Sequence, residues 1–145
     1  MRIAVGVDHG AFFMKDTVIK HIEALGHEVT DFGTYSDDSC DYPDIVKAVA
    51  PRVAAEEYDR GVLMCGTGIG MSITANKVAG VRAALCHDTY SARLAREHND
   101  SNILCMGGRV LGHGPALDIL QVWLETSFHG GRHQRRVDRI SDLDT

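Results

Sequence analysis

Gly61-Val62-Leu63-Met64-Cys65-Gly66-Thr67-Gly68-Ile69-Gly70 joins an apolar run of strand length to a glycine-rich turn, with a cysteine at the junction. A short apolar stretch followed at once by Gly-x-Gly-x-Gly reads as a buried strand that hands its chain to the start of a helix. Backbone N–H groups at such a turn favour negative charge, and a thiol in that field ionises more readily than a free one. Cys65 and Thr67 are therefore candidate reactive residues, and the amides of Gly66, Gly68 and Gly70 are candidate anion donors.

Outward from this segment the chain alternates strand-like and helix-like stretches, the pattern of a parallel sheet covered on both faces. Strands are expected at Arg2–Val7, His27–Phe32, Gly61–Met64, Val81–Cys86 and Asn102–Met106. Between them, Phe12, Val18, Ile19, Ile22 and Leu25 form the apolar stripe of a first helix, with Gly26 placed to end it. Ile45, Val46, Val49 and Val53 form a second stripe after Pro43, which suits a first helical turn. Further helices are expected up to about Val78, from Asp88 to Glu97, from Pro115 to Thr126, and over about 132–143. Ligands of such sheets bind beyond the carboxyl ends of the strands. Asp8-His9 and the Cys65 loop follow strand ends and should share one rim, whereas His98-Asn99-Asp100 precedes a strand and should face the opposite rim. If His98 is catalytic, it serves the site of a neighbouring subunit.

The 145 residues suffice for one domain with a full core, and a hydrophobic fraction of 44% with 24% charged residues matches a globular protein. No apolar run approaches the roughly 20 residues of a membrane helix, and Met1-Arg2-Ile3-Ala4-Val5 runs straight into a strand pattern, so the expected location is cytoplasmic. A net charge of -5 argues against nucleic acid as a partner. Against that background, Arg132, His133, Arg135, Arg136 and Arg139 form a basic cluster; Arg132 and Arg136, four apart, share a helix face suited to a phosphate. The four cysteines have no CxxC spacing and the eight histidines no compact ligand pattern, so neither metal nor cofactor is expected. The glycine loop also fails the dinucleotide fingerprint, because position 71 is Met, and it lacks the Gly-Lys-Ser/Thr of a phosphate-binding P-loop. Thiol redox and acyl-transfer chemistry remain open on these residues alone.

Asp8-His9, Asp41-Tyr42-Pro43, Cys65-Gly66-Thr67-Gly68-Ile69-Gly70, Ala75-Asn76-Lys77, Arg96-Glu97-His98-Asn99-Asp100 and Gly130-Gly131-Arg132-His133-Gln134 occur in this order along nearly the whole chain. Together they resemble the type B ribose-5-phosphate isomerases and the galactose-6-phosphate isomerase subunits grouped with them. The resemblance implies a Rossmann-like three-layer α/β/α sandwich with a five-stranded parallel sheet, forming a homodimer or homotetramer with shared active sites and its C-terminal helix at the subunit interface. It also implies metal-free interconversion of a phosphorylated aldose and ketose. On the matching positions, Cys65 corresponds to the catalytic base, Thr67 to a residue assisting proton transfer, and His98 to the group that opens the sugar ring. Asp8 and Tyr42 correspond to sugar contacts, His9, Arg132 and Arg136 to phosphate ligands, and Asn99 and Arg109 to further substrate contacts. A second branch of the family carries a glutamate base where this chain has Met71 and Ser72. The chain also departs from the family at Gly10-Ala11, where Ala-Gly or Val-Gly is common. Ribose 5-phosphate is the expected substrate; allose 6-phosphate, galactose 6-phosphate, a tetrose phosphate, or a non-catalytic sugar-phosphate sensor are the alternatives.

Overall fold

The computed structural model describes all 145 residues. Five parallel strands, β1 (Arg2–Val7), β2 (Glu28–Asp31), β3 (Arg60–Cys65), β4 (Ala83–Leu85) and β5 (Ile103–Gly107), form one sheet in the order β2-β1-β3-β5-β4. The helices are α1 (Lys15–Ala24), α2 (Tyr42–Ala54), α3 (Ile69–Ala75), α4 (Thr89–Glu97), α5 (His113–Glu125) and α6 (Arg132–Ser141), with a 3₁₀ turn at Phe12–Met14 before α1. The expected α/β sandwich with a five-stranded parallel sheet is thus the observed fold.

Strand periodicity divides the core in two. Ile3, Val5, Val7, Val62, Met64, Leu104 and Met106 point to a layer shared with α1, α4 and α5. Ala4, Leu63, Cys65, Ile103 and Cys105 point the other way, toward α2 and α3. This split follows from right-handed crossovers: α1 and α4 return leftward along the sheet and α2 and α3 move rightward, so they cover opposite faces. The crossover leaving β1 runs to one side of the sheet and that leaving β3 to the other, which opens a crevice between their carboxyl ends. Asp8 and Cys65 stand at that crevice.

Element ends follow local chemistry. Gly26, at φ 91°, ends α1 as a left-handed residue, and Asp88 caps α4 by accepting the Ser91 N–H at 2.6 Å. Strand β4 is shorter than the apolar pattern Val81–Cys86 suggests, and it lies at the sheet edge. Its free edge is occupied by Asn76, whose carboxamide accepts from Ala83 N–H at 2.8 Å and donates to Ala83 C=O at 3.0 Å, taking the place of a sixth strand. The buried indole of Trp123 donates to Ser101 Oγ at 2.8 Å, tying α5 to the start of β5.

Candidate active site

Three strand-to-helix turns meet at the carboxyl rim of the sheet. Leaving β1, Asp8 is buried and its Oδ1 accepts the Gly10 N–H at 2.8 Å, a side-chain turn rather than a helix cap, since the first helical turn starts after Ala11. Leaving β5, Gly107 and Gly108 lie against the other two turns: a Cβ on Gly107 would sit 2.8 Å from the Thr67 backbone, and one on Gly108 would sit 2.9 Å from Ala11. The turns pack backbone to backbone, which leaves the rim to the polar side chains.

The Cys65 turn is built as its sequence suggests. Cys65 ends β3, and its Sγ accepts the Gly68 N–H at 3.1 Å. Gly68 takes φ 77° and starts α3, so the amide that reaches the sulfur comes from the helix N-terminus. Thr67 stands exposed on the rim, with Oγ1 accepting from Ile69 N–H at 3.2 Å. Arg109 is anchored by its N–H to Gly66 C=O at 2.9 Å, and its guanidinium lies over Gly66. Tyr42, in the first turn of α2, brings its hydroxyl end against Gly70; a Cβ there would be 2.9 Å from the phenolic oxygen. His9 accepts the Cys40 N–H at Nδ1, 3.2 Å away. An amide can only donate, so this contact requires the Nε2–H tautomer and leaves Nε2 as a donor for an anion. Nothing in the sequence marks Cys40 for a role; only the folded loop reveals that its amide orients His9.

Asp8, His9, Tyr42, Cys65, Thr67, Arg109 and the glycine amides are thereby gathered at one rim. His98, Asn99, Arg132 and Arg136 are not among them. His98 caps the C-terminus of α4 at the opposite, amino-terminal rim, a full strand length of roughly 16 Å from the Cys65 end. There its ring stacks on that of His133 with centroids 4.0 Å apart and planes 11° from parallel. His133 belongs to α6, so Arg132 and Arg136, both exposed, accompany His98. His9 and the two arginines, all expected to be phosphate ligands, are held at opposite ends of one chain. Burial, and then the neighbouring His98, Arg132 and Arg136, hold the His133 imidazole below its ordinary value of 6.5.

The other thiols have a different character. Burial pushes Cys86 up to about 11, and Cys105, beside Cys65 and Cys86, is pushed up further, so both are inert core residues. No three His, Cys, Asp or Glu side chains converge tightly enough to hold a metal ion. No helix is long and apolar enough to cross a membrane.

Comparison with known proteins gives this geometry a family. Residues 3–140 match the family model described as Ribose/Galactose Isomerase. Ribose-5-phosphate isomerase B of Escherichia coli (strain K12) is 47% identical over 143 residues, which cover 99% of this chain and 96% of that protein. D-erythrulose-4-phosphate isomerase of Pectobacterium atrosepticum is 40% identical over 141 residues, covering 97% and 93% respectively. Among solved structures, Clostridium thermocellum ribose-5-phosphate isomerase B superposes with a TM-score of 0.96 at 50% identity, over 99% of this chain and 97% of that one.

Proposed function

This chain belongs to the ribose/galactose isomerase family and is an aldose–ketose sugar-phosphate isomerase; from that premise we propose that it interconverts ribose 5-phosphate and ribulose 5-phosphate without a metal, with Cys65 as the base. The observation that carries the assignment of the base is the Cys65 turn itself, where a reactive side chain and a row of amide donors share one rim with Asp8, Tyr42 and Arg109.

Isomerisation removes a weakly acidic C–H proton beside a carbonyl and passes through an enediolate, so it needs a base and a preorganised anion site. Cys65 takes the proton from carbon 2 and returns it to carbon 1, while the hydroxyl proton on the carbon-2 oxygen passes to the carbon-1 oxygen with Thr67 assisting. The Gly66 and Gly70 amides and Thr67 hold the developing oxyanion, while the Gly68 amide stays on the Cys65 sulfur; one such donor contributes about 3–4 kcal/mol in other enzymes. Asp8, Tyr42, Asn99 and Arg109 hold the sugar, and His9, Arg132 and Arg136 take the phosphate, whose binding fixes the reactive pose. His98 opens the furanose ring by moving a proton between the ring oxygen and the hydroxyl on carbon 1.

The separation of the two residue groups supports a shared site. One rim carries the base and the opposite rim of a second copy carries His98, Asn99, Arg132 and Arg136, with α6 at the interface between them. A homodimer or a dimer of dimers satisfies this, and we infer a cytoplasmic enzyme.

The test is turnover of ribose 5-phosphate by wild type and Cys65→Ala in excess chelator. Wild-type turnover reduced at least 10²-fold in the variant is the expected result. Undiminished turnover by the variant removes Cys65 as the base, and loss of wild-type turnover in chelator removes metal independence. The erythrulose-phosphate relative favours a second reading, a four-carbon substrate. Preferential turnover of a tetrose phosphate in the same assay would establish it.

A further inference from the structure

We propose that Asp100 is a positioning residue for His98, holding the loop that presents this imidazole to the sugar ring; the inference rests on the role of His98 given above. Asp100 is one of two non-glycine residues with positive φ, at 47°. A left-handed residue in a tight connection between α4 and β5 turns the backbone sharply, and here it sets the direction in which the two preceding residues leave the helix.

Both carboxylate oxygens of Asp100 are engaged, each by a different guanidinium. Arg96 Nη1 lies 2.9 Å from Oδ1, and Arg82 Nη2 lies 3.3 Å from Oδ2. The same arginines hold the surrounding backbone. Arg82 Nε donates to the carbonyls of Asn99 at 3.1 Å and Asp100 at 3.0 Å, and Arg96 Nη1 donates to Ser101 C=O at 2.5 Å. Arg96 is buried, and its Nε reaches Thr126 C=O at 3.4 Å, on the segment that leads from α5 toward α6. His129 N–H donates to Glu97 C=O at 3.0 Å, so the end of α4 immediately before His98 is joined to the approach to α6. The ring stack between His98 and His133 is the third contact in this arrangement.

This is more than closing a loop requires. A glycine would adopt the turn without strain, and two guanidiniums on one carboxylate fix both a torsion and a direction. Ring opening demands that an imidazole nitrogen reach the ring oxygen within hydrogen-bond distance, and a displacement of about 1 Å from such geometry can cost on the order of 10²-fold in rate. Arg82, just before β4, and Arg96, in the last turn of α4, belong to the same chain as the loop, so it is preorganised before any second copy docks.

The experiment is a double-mutant cycle on ribose 5-phosphate turnover with Asp100→Asn and His98→Asn. Asparagine tolerates the left-handed conformation and keeps the side-chain shape, so the change removes the negative charge and leaves one of the two guanidiniums facing an NH2 donor in place of an acceptor. The expected result is a fall of about tenfold in kcat/KM for Asp100→Asn, a larger fall for His98→Asn, and a double variant no worse than His98→Asn alone. Losses that multiply, or an Asp100→Asn enzyme with wild-type kcat/KM, overturn the positioning role. A His98→Asn enzyme with full activity instead overturns the ring-opening role, a separate failure visible in the single variant. If Asp100→Asn does not fold, Arg82→Gln, which removes one of the two guanidiniums, takes its place in the cycle with the same expected outcomes.

Discussion

At Gly68 a backbone conformation and the Cys65 side chain depend on one another. The residue takes φ 77°, its amide reaches Cys65 Sγ, and a Cβ would sit 2.7 Å from Leu85 Cδ1 and 2.8 Å from the Met106 carbonyl carbon. Gly68→Ala combines a left-handed torsion with backbone contact, and strain of that kind costs of order 1–3 kcal/mol. We expect a lower urea midpoint and an activity loss larger than the stability loss explains, because the amide moves off the sulfur; equilibrium unfolding and turnover measured on the same sample check this. The Cys65–Gly70 turn is legible in the sequence because strand, cysteine and glycines are contiguous. The contact between His9 and the Cys40 amide is not, since 31 residues separate the two and nothing in the polar loop marks Cys40 as a partner.

At the scale of elements, α6 against the end of α4 gives the fold a pH dependence. Burial and nearby cationic groups hold His133 below 6.5, and burial, then the terminal amine, do the same for His27. For each, the unfolded chain binds more protons between the lowered folded value and 6.5. The stability each preserves is fully present above pH 6.5 and is lost as pH falls through its folded value. His133→Phe keeps an aromatic ring on His98 and cannot titrate, so its urea midpoint should fall less between pH 7 and pH 5 than that of wild type, with the His27 contribution remaining. An equal slope in both proteins would show that His133 does not contribute. The helices and strands themselves are readable from periodicity to within a few residues. The exceptions are physical: β4 is cut to three residues at an edge where Asn76 replaces a neighbouring strand, and α1 opens with a 3₁₀ turn.

For the whole molecule, one chain places Cys65, the proposed base, at one rim and His98, the proposed ring-opening group, at the other. If two copies combine these groups, inactive variants should complement. Cys65→Ala and His98→Asn, unfolded together and refolded as a mixture, should recover about a quarter of wild-type activity, because half of the dimers are mixed and one of their two sites is intact. Activity no greater than the sum of the parents would mean that each chain completes its own site.

The sequence by itself determines the parallel sheet, the rim where Asp8, His9 and Cys65 gather, and the family. Those depend on period, strand ends and contiguous motifs, all of which are local. Placing His98 before β5 also puts it at the far rim. Only the tertiary structure decides that Arg132 and Arg136 join His98 there rather than His9, that His133 stacks on it, and that Arg82 and Arg96 grip Asp100. These contacts join elements far apart in the chain, and their partners are set by where α4, α5 and α6 pack, which no spacing within a single segment encodes.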